Sequence, residues 1–225
     1  MIFYTFISIV MLLSLIIFII YMFYSNRKGK HRKVTPPKTS VNYSKESSHP
    51  EVKEEKICIL NKQVMKKFVN SKEIEINKNI TKIEDNCFFK CFKLATIKVD
   101  RENKNYCSKA GVLFSKNMKK IICYPPLKQT STYLIPEGVE EIENHAFFNN
   151  KFLKYIVLPT TLHSIGENSF INCKGINQIV IPDNVENIHP NAFNLCPRIT
   201  VRCYKNSVAE DFCIKYFIPF EYLTN

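Results

Sequence analysis

A phrase of apolar residues recurs three times at a spacing of 23 residues, and this period constrains the fold more than any other feature of the chain. Each copy contains a short apolar run that ends in proline and, farther on, a small residue followed by phenylalanine. The positions that the copies share include Pro136, Pro159 and Pro182, then Phe147, Phe170 and Phe193. Self-similarity at this period predicts a solenoid of stacked units, none of which buries its apolar face alone.

A fourth and looser copy lies upstream, at residues 74–94. Its Phe88 precedes Phe147 by 59 residues, which is one period plus an insert of 36. The insert includes residues 100–132 and holds two short apolar runs, 111–114 and 120–125, on either side of a polar turn. This pattern predicts a β-hairpin folded onto the stack.

The period can be translated into the geometry of one unit. The run Ile179-Val-Ile181-Pro182 alternates its inward and outward positions and ends in a residue that cannot donate to a ladder, so it predicts a strand. The next apolar residues are spaced by three and four, which predicts a turn or short helix. Each unit then turns once around the core and delivers the next strand parallel to the last. The phenylalanines are predicted to stack as an interior column of four rings: Phe88, Phe147, Phe170 and Phe193.

These residues resemble the BspA-like leucine-rich repeats, the subclass first described in treponemes. The insert strengthens the resemblance through Gly111-Val-Leu-Phe114 and Tyr124-Pro125, and the C-terminal part through Tyr204-Lys-Asn-Ser207. The resemblance covers residues 72–225 and implies an α/β repeat solenoid, a curved parallel β-sheet with short helices or turns. It also implies binding to other macromolecules, commonly at a cell surface, and no enzymatic activity.

Both ends of a solenoid need covers. At the C-terminus, Ser207-x-x-Glu210 has capping-box spacing and predicts a helix with Val208, Phe212 and Tyr216 on its inner face, followed by an extended piece. At the other end, residues 57–69 fit either an amphipathic helix or a degenerate first repeat. The predicted organisation is a membrane anchor (residues 1–25), a linker (26–52) and a repeat domain (53–225). The repeat domain consists of an N-terminal cap (53–72), the repeats (73–203, with the hairpin insert 100–132) and a C-terminal cap (204–225).

Residues 2–24 form an uncharged apolar run of 23. As a helix this run would extend about 34 Å, which is long enough to cross the hydrocarbon core of a bilayer. No basic residue precedes it and no small-residue cleavage site follows it, so it predicts an uncleaved transmembrane helix rather than a signal peptide.

A basic cluster follows the apolar run directly. Its members are Arg27, Lys28, Lys30, Arg32 and Lys33. Residues 1–45 hold seven Lys or Arg and no acid, so only +5 of the formal +12 belongs to the rest of the chain, which argues against nucleic-acid binding. Positively charged residues that flank a membrane span prefer the cytoplasmic side, so the cluster predicts a single-pass protein with its repeats in the cytoplasm. The same cluster can also bind anionic lipid headgroups. The family resemblance favours the opposite topology, with the repeats outside the cell. The polar segment after the cluster is predicted to be a disordered linker.

The chain has nine cysteines, and most of them are explained by the repeat. Cys91, Cys173 and Cys196 share one position, three residues after the column phenylalanine, where cysteine behaves as a small buried hydrophobe. Stacking could bring Cys173 and Cys196 within disulfide range, but the odd total and the lack of a CxxC pair favour neither a disulfide framework nor a zinc site. We expect no cofactor, no metal and no small-molecule substrate, and we interpret the histidines as surface or turn residues.

A binding site is expected on the outward positions of the sheet. In one register these positions are Glu73, Glu75, Thr96, Lys98, Thr132, Leu134, Tyr155, Val157, Gln178 and Val180. The last six are the candidate partner-binding residues, because an apolar row beside a tyrosine is typical of protein contacts. The simpler alternative is that β-branched residues favour strands. The sequence therefore predicts a membrane-tethered protein-interaction module. The alternatives are a surface-displayed adhesin or antigen and a self-associating architectural protein.

Overall fold

A computed structural model describes residues 59–223, which form a parallel β-solenoid. The predicted transmembrane run at residues 2–24, the basic cluster and the linker lie outside the described residues. Within residues 59–223, no helix is long and apolar enough to cross a membrane.

Each regular repeat contributes one strand to a five-stranded parallel sheet. Its strands are β8 (Thr132–Leu134), β10 (Tyr155–Val157), β12 (Gln178–Val180), β14 (Thr200–Cys203) and β15 (Phe220–Tyr222). Tyr155 pairs with Gln178 and Ile156 with Ile179, so neighbouring strands align at the 23-residue period of the sequence. The parallel winding that the sequence predicts is confirmed.

A second strand of two residues follows in each repeat. These strands are β9 (Glu141–Ile142), β11 (Ser164–Ile165) and β13 (Asn187–Ile188). They pair in parallel with one another, and their isoleucines are buried. The predicted turn or short helix is wrong for these two-residue strands, which form a second ladder, and the predicted turn follows them, as at residues 144–149.

The N-terminal cap combines both of the forms that the sequence left open. Strand β1 (Ile59–Leu60) is followed by helix α1 (Lys62–Met65) and a 3₁₀-helix (Lys66–Phe68). Because β1 pairs in parallel with β3 (Lys82–Ile83), this segment is a degenerate first repeat with one short helix. The Asn61 side chain caps α1 by accepting hydrogen bonds from two backbone N–H groups of its first turn.

The insert forms a three-stranded meander that extends the second ladder. Its strands are β5 (Tyr106–Lys109), β6 (Val112–Ser115) and β7 (Lys120–Cys123). The predicted hairpin is present as the antiparallel pair β6–β7, and β5 is an additional strand. Strand β7 then pairs in parallel with β9. The strands β2 (Glu73–Ile76) and β4 (Thr96–Val99) form a separate parallel pair.

An aromatic column fills the interior of the regular repeats. The ring of Phe170 stacks on Phe147 at 4.8 Å and on Phe193 at 5.3 Å between centroids. The prediction was wrong for Phe88, which is half-buried in a separate N-terminal core cluster. Tyr124 takes the fourth place and stacks on Phe147 at 5.0 Å, because the insert delivers it into the layer next to Phe147.

Helix α2 (Val208–Tyr216) and strand β15 close the C-terminal end. Ser207 Oγ accepts a hydrogen bond from Glu210 N–H at 3.3 Å, so the predicted N-cap is confirmed. Phe212 is buried and lies edge-on to Phe193. Val208 does not lie on the inner face, since 40% of its surface is exposed.

Candidate functional site on the outward face of the parallel sheet

The six candidate contact residues form two rows across β8, β10 and β12. The register places them as Thr132–Tyr155–Gln178 and Leu134–Val157–Val180. Successive side chains of a strand point to opposite faces of a sheet, so both rows share the outward face. The structure thus brings together all six positions, while the role predicted for them remains a prediction.

The apolar part of this face is open to solvent. Leu134 is 65% exposed, Tyr155 48% and Val157 44%, whereas Ile156 between the last two is buried. We call Leu134, Tyr155 and Val157 the apolar patch. Gln178 and Val180 on the next strand are only half-buried and continue it. Large side chains exposed on a rigid sheet are typical of protein-contact surfaces.

A charged border limits the patch on the C-terminal side. Val180 pairs with Arg202, and Arg202 pairs with Glu221 on the edge strand. The side chains of Arg202 and Glu221 form an ion pair, with 3.9 Å between Arg202 Nε and Glu221 Oε2. Sequence reasoning missed both residues, although the burial alternation of Thr200–Cys203 is the same as on the other strands.

The apolar patch also borders an open groove of about 390 Å³. Leu134 and Val157 line it, together with the prolines that end their strands, Pro136 and Pro159. Ala110, in the turn between β5 and β6, lines the groove from the insert. This contribution could not be anticipated from the sequence, because nothing in the repeat period says where the turn between β5 and β6 lies.

The remaining predicted outward positions belong to another sheet. Glu73, Glu75, Thr96 and Lys98 lie on the pair β2–β4, so placing them in one register with β8 was wrong. The turn between β5 and β6 lies against the edge of β4, where Ile97 N–H donates to Gly111 O at 3.0 Å. The outward face of this pair is charged, with Lys98 Nζ 2.6 Å from Glu73 Oε1.

The cysteines of the repeat position are buried thiols. Cys173 Sγ donates to Phe147 O and Cys196 Sγ to Phe170 O, each at 2.9 Å. Burial raises the pKa of Cys196 to about 11, and Cys91 likewise has a pKa raised to about 11. Thiols held protonated in this way are poor nucleophiles. Every cysteine within residues 59–223 is unpaired, and in that range no group of three His, Cys, Asp or Glu side chains is arranged to hold a metal ion.

Stacked strands, an aromatic column and an exposed strand face together define a repeat protein built to present a surface. The sequence profile described as the BspA type leucine rich repeat region matches residues 45–135 and 118–212, with six copies. The chain therefore belongs to this family of leucine-rich repeat proteins.

Solved structures share the fold. A leucine-rich repeat protein from Eubacterium ventriosum is 31% identical over 60% of this chain and 37% of its own, with a TM-score of 0.58. The pneumococcal vaccine antigen PcpA is 23% identical over 59% of this chain and 38% of its own, with a TM-score of 0.52. A leucine rich cell surface protein from Faecalibacterium prausnitzii is 24% identical over 68% and 48%, with a TM-score of 0.52.

This chain thus spans less than half the length of each of these three structures. At their level of identity, the second and third show the fold alone. No curated protein matches the chain significantly. Family membership establishes the repeat architecture and favours a role in protein interaction.

Proposed function

We propose that this chain is a membrane-tethered module that binds a protein partner through the outward face of β8, β10 and β12. The observation that carries the proposal is the apolar patch, in which Leu134, Tyr155 and Val157 are exposed beside one another. Burial of such side chains drives association, and tyrosine is enriched among the residues that contribute most to binding.

The rigidity of the sheet supports this role. Ile156 anchors the central strand in the core between Tyr155 and Val157, and β10 is paired on both edges, with β8 and β12. The patch is therefore presented in one arrangement, and little conformational entropy is lost when a partner binds. The groove beside Leu134 adds a concave edge that a protruding side chain of the partner can fill.

The tether rests on the sequence alone. The apolar run at residues 2–24 supplies the membrane span, and the cluster Arg27, Lys28, Lys30, Arg32 and Lys33 supplies contacts with anionic lipid. The flanking charge favours repeats in the cytoplasm. Display outside the cell, as an adhesin or antigen, is the second candidate. It is favoured by the names of two similar structures, a vaccine antigen and a cell surface protein.

Site-specific photo-cross-linking in the native cells tests the binding face. A photoreactive phenylalanine derivative replaces Tyr155 in the full chain, and in a control chain it replaces Lys98, an outward position on the other sheet. We expect a discrete adduct from position 155, none from position 98, and loss of the adduct when Val157→Asp is added. Identical adducts from both positions, or an adduct that survives Val157→Asp, would contradict the proposal. Circular dichroism verifies that the variants remain folded.

Glycosylation mapping tests the topology. The sequons Asn42-Tyr-Ser44 and Asn79-Ile-Thr81 lie C-terminal to the predicted span, and Asn79 is half-buried in a turn. In a eukaryotic cell, a glycosidase-sensitive mobility shift of the full chain places the repeats outside and favours the adhesin. No shift favours the cytoplasmic module, provided that a control sequon added at the N-terminus is modified.

A further inference from the structure

A cavity of about 110 Å³ lies away from the apolar patch, between two turns that occupy the same position in their repeats. The first turn is residues 84–89 and the second is residues 143–148. Tyr106 and Ile122 of the insert complete its walls. We call it the turn cavity.

The insert explains why this space exists. In the regular repeats successive turns bond directly, as where His145 N–H donates to Glu167 O at 3.0 Å and Phe147 N–H to Ser169 O at 2.7 Å. On the other side of the second turn, the insert supplies this contact instead, with Tyr124 N–H donating to Ala146 O at 2.7 Å. The backbone of residues 84–89 therefore makes no such bond to residues 143–148, and the two turns meet through Phe89 and Phe148 with a space beside these rings.

The lining of the turn cavity is acidic on a chain whose formal net charge is +12. Glu84, Asp85 and Glu143 line it, and among the described lining residues there is no Lys or Arg. The nearest cation to Glu143 is Lys120, whose Nζ lies 2.6 Å from Glu141 but 3.7 Å from Glu143. Glu143 is thus only weakly neutralised, and its pKa is raised by burial and by the neighbouring carboxylates of Glu141 and Asp85.

Two acceptors of residues beside the cavity make no hydrogen bond. Within residues 59–223, Asn86 Oδ1 and His145 Nδ1 are buried atoms with no hydrogen-bond partner, and both residues line the cavity. Burial lowers the pKa of His145, with Glu167 and Asp85 opposing and Lys62 reinforcing the shift. A neutral imidazole can present Nδ1 as an acceptor. Buried polar atoms without partners are rare in proteins, and both of these are enclosed by the protein rather than open to the cavity.

Aromatic rings form the apolar wall. Phe89 and Phe148 lie 4.4 Å apart between centroids with an angle of 31° between their planes, and Phe89 is 39% exposed. Their faces suit a planar cation, because guanidinium groups stack on aromatic rings and are attracted by the ring quadrupole.

We propose that the turn cavity binds the guanidinium group of an arginine side chain presented by a partner protein. Its size fits the end of one side chain, since pockets for drug-sized molecules measure roughly 300–1,000 Å³. The five N–H donors of guanidinium match the carboxylates of Glu84, Asp85 and Glu143, and its plane matches the aromatic wall. This site is independent of the apolar patch, so either site can fail without the other.

The test is a ligand-observed NMR titration of the full chain in an uncharged detergent. The probes are the capped tripeptides Gly-Arg-Gly, Gly-Lys-Gly and Gly-citrulline-Gly, where citrulline keeps the shape of arginine without its charge. The variants Glu143→Gln and Asp85→Asn remove a charge and keep the side-chain shape. Glu186→Gln is the matched control, because Glu186 has 80% of its side chain exposed and lies outside the cavity.

We expect saturable binding of the arginine peptide only, weakened at least about tenfold by Glu143→Gln and by Asp85→Asn. Glu186→Gln and Tyr155→Asp are expected to leave it unchanged. Absence of saturable arginine binding, equal binding of the citrulline peptide, or equal weakening by Glu186→Gln would overturn the proposal. Equal binding of the lysine peptide would overturn the assignment to guanidinium. Thermal melts identify any variant that fails to fold, and the other variant then carries the test.

Discussion

Replacing Phe170 with alanine removes the middle ring of the aromatic column. Phe170 is completely buried, and its ring is nearly parallel to those of Phe147 and Phe193, at angles of 16° and 14°. The column crosses three repeats, so the substitution leaves a cavity where adjacent units contact each other. Phe88→Ala is the matched control, because Phe88 was expected in the same column but is half-buried outside it.

The magnitudes follow from burial and stacking. Truncation of a buried phenylalanine costs about 3–5 kcal/mol, and loss of two stacked partners places Phe170→Ala near the upper end of that range. For a half-buried ring we expect about 1–2 kcal/mol. In a domain of this size each kcal/mol lowers Tm by about 2–4 °C. Phe170→Ala should therefore lower Tm by about 10–20 °C and Phe88→Ala by about 2–8 °C.

Circular dichroism during thermal and urea unfolding measures both variants beside the unmodified chain. Phe170→Leu serves as a second control, since it keeps most of the apolar volume and should cost less than alanine. If Phe88→Ala lowers Tm as much as Phe170→Ala, the assignment of Tyr124 rather than Phe88 to the column is refuted.

Two further predictions concern buried polar groups. Asn150→Ala should lower the free energy of unfolding by about 3 kcal/mol in urea titrations. The buried amide of Asn150 donates to Pro125 O, and its Oδ1 accepts from Leu153 N–H, so the substitution leaves both groups without a partner. A loss below about 0.5 kcal/mol would contradict this prediction. Folding raises the pKa of Cys196 from 9.0 to about 11, so the folded state holds its proton more tightly, and this contribution to stability is complete below pH 9 and lost between pH 9 and about 11. Urea titrations across that range should show a smaller decline in stability for Cys196→Ala than for the unmodified chain, and equal declines would contradict the assignment.

The parts of the fold that the sequence predicted are those that the period itself encodes. The spacing of Pro136, Pro159 and Pro182 fixes the register of three strands, and alternation within each strand fixes which side chains face outward. The two rows of the candidate site were therefore predictable before the structure. The buried cysteines were predictable for the same reason, because Cys173 and Cys196 occupy one repeat position.

The errors arise where an insert interrupts the repeat, or where a strand is too short for the spacing of its residues to identify it. A pair such as Glu141–Ile142 cannot be distinguished by spacing from the start of a helical turn, so the second ladder was missed. Phe88 resembles Phe147 in its local sequence, but Tyr124 lies 23 residues before Phe147, and this spacing was a signal for the column that the sequence analysis overlooked. The turn cavity was missed because it depends on two turns that pack through side chains without the backbone bonds of the regular repeats. The sequence held one signal of an acidic site, because the acidic and polar segments Glu84-Asp85-Asn86 and Glu143-Asn144-His145 occupy equivalent positions in their repeats.

The insert determines the chemistry of both proposed surfaces. In an uninterrupted array, β4 would neighbour β8, and residues 84–89 would bond to residues 143–148 as later turns do. The turn between β5 and β6 instead covers the edge of β4, and its Ala110 lines the groove beside the apolar patch. The same insert takes the place beside the second turn and leaves the carboxylates of the two turns around an open space. The interruption of the repeat therefore gives this small solenoid an acidic site and, away from it, a groove beside the apolar patch.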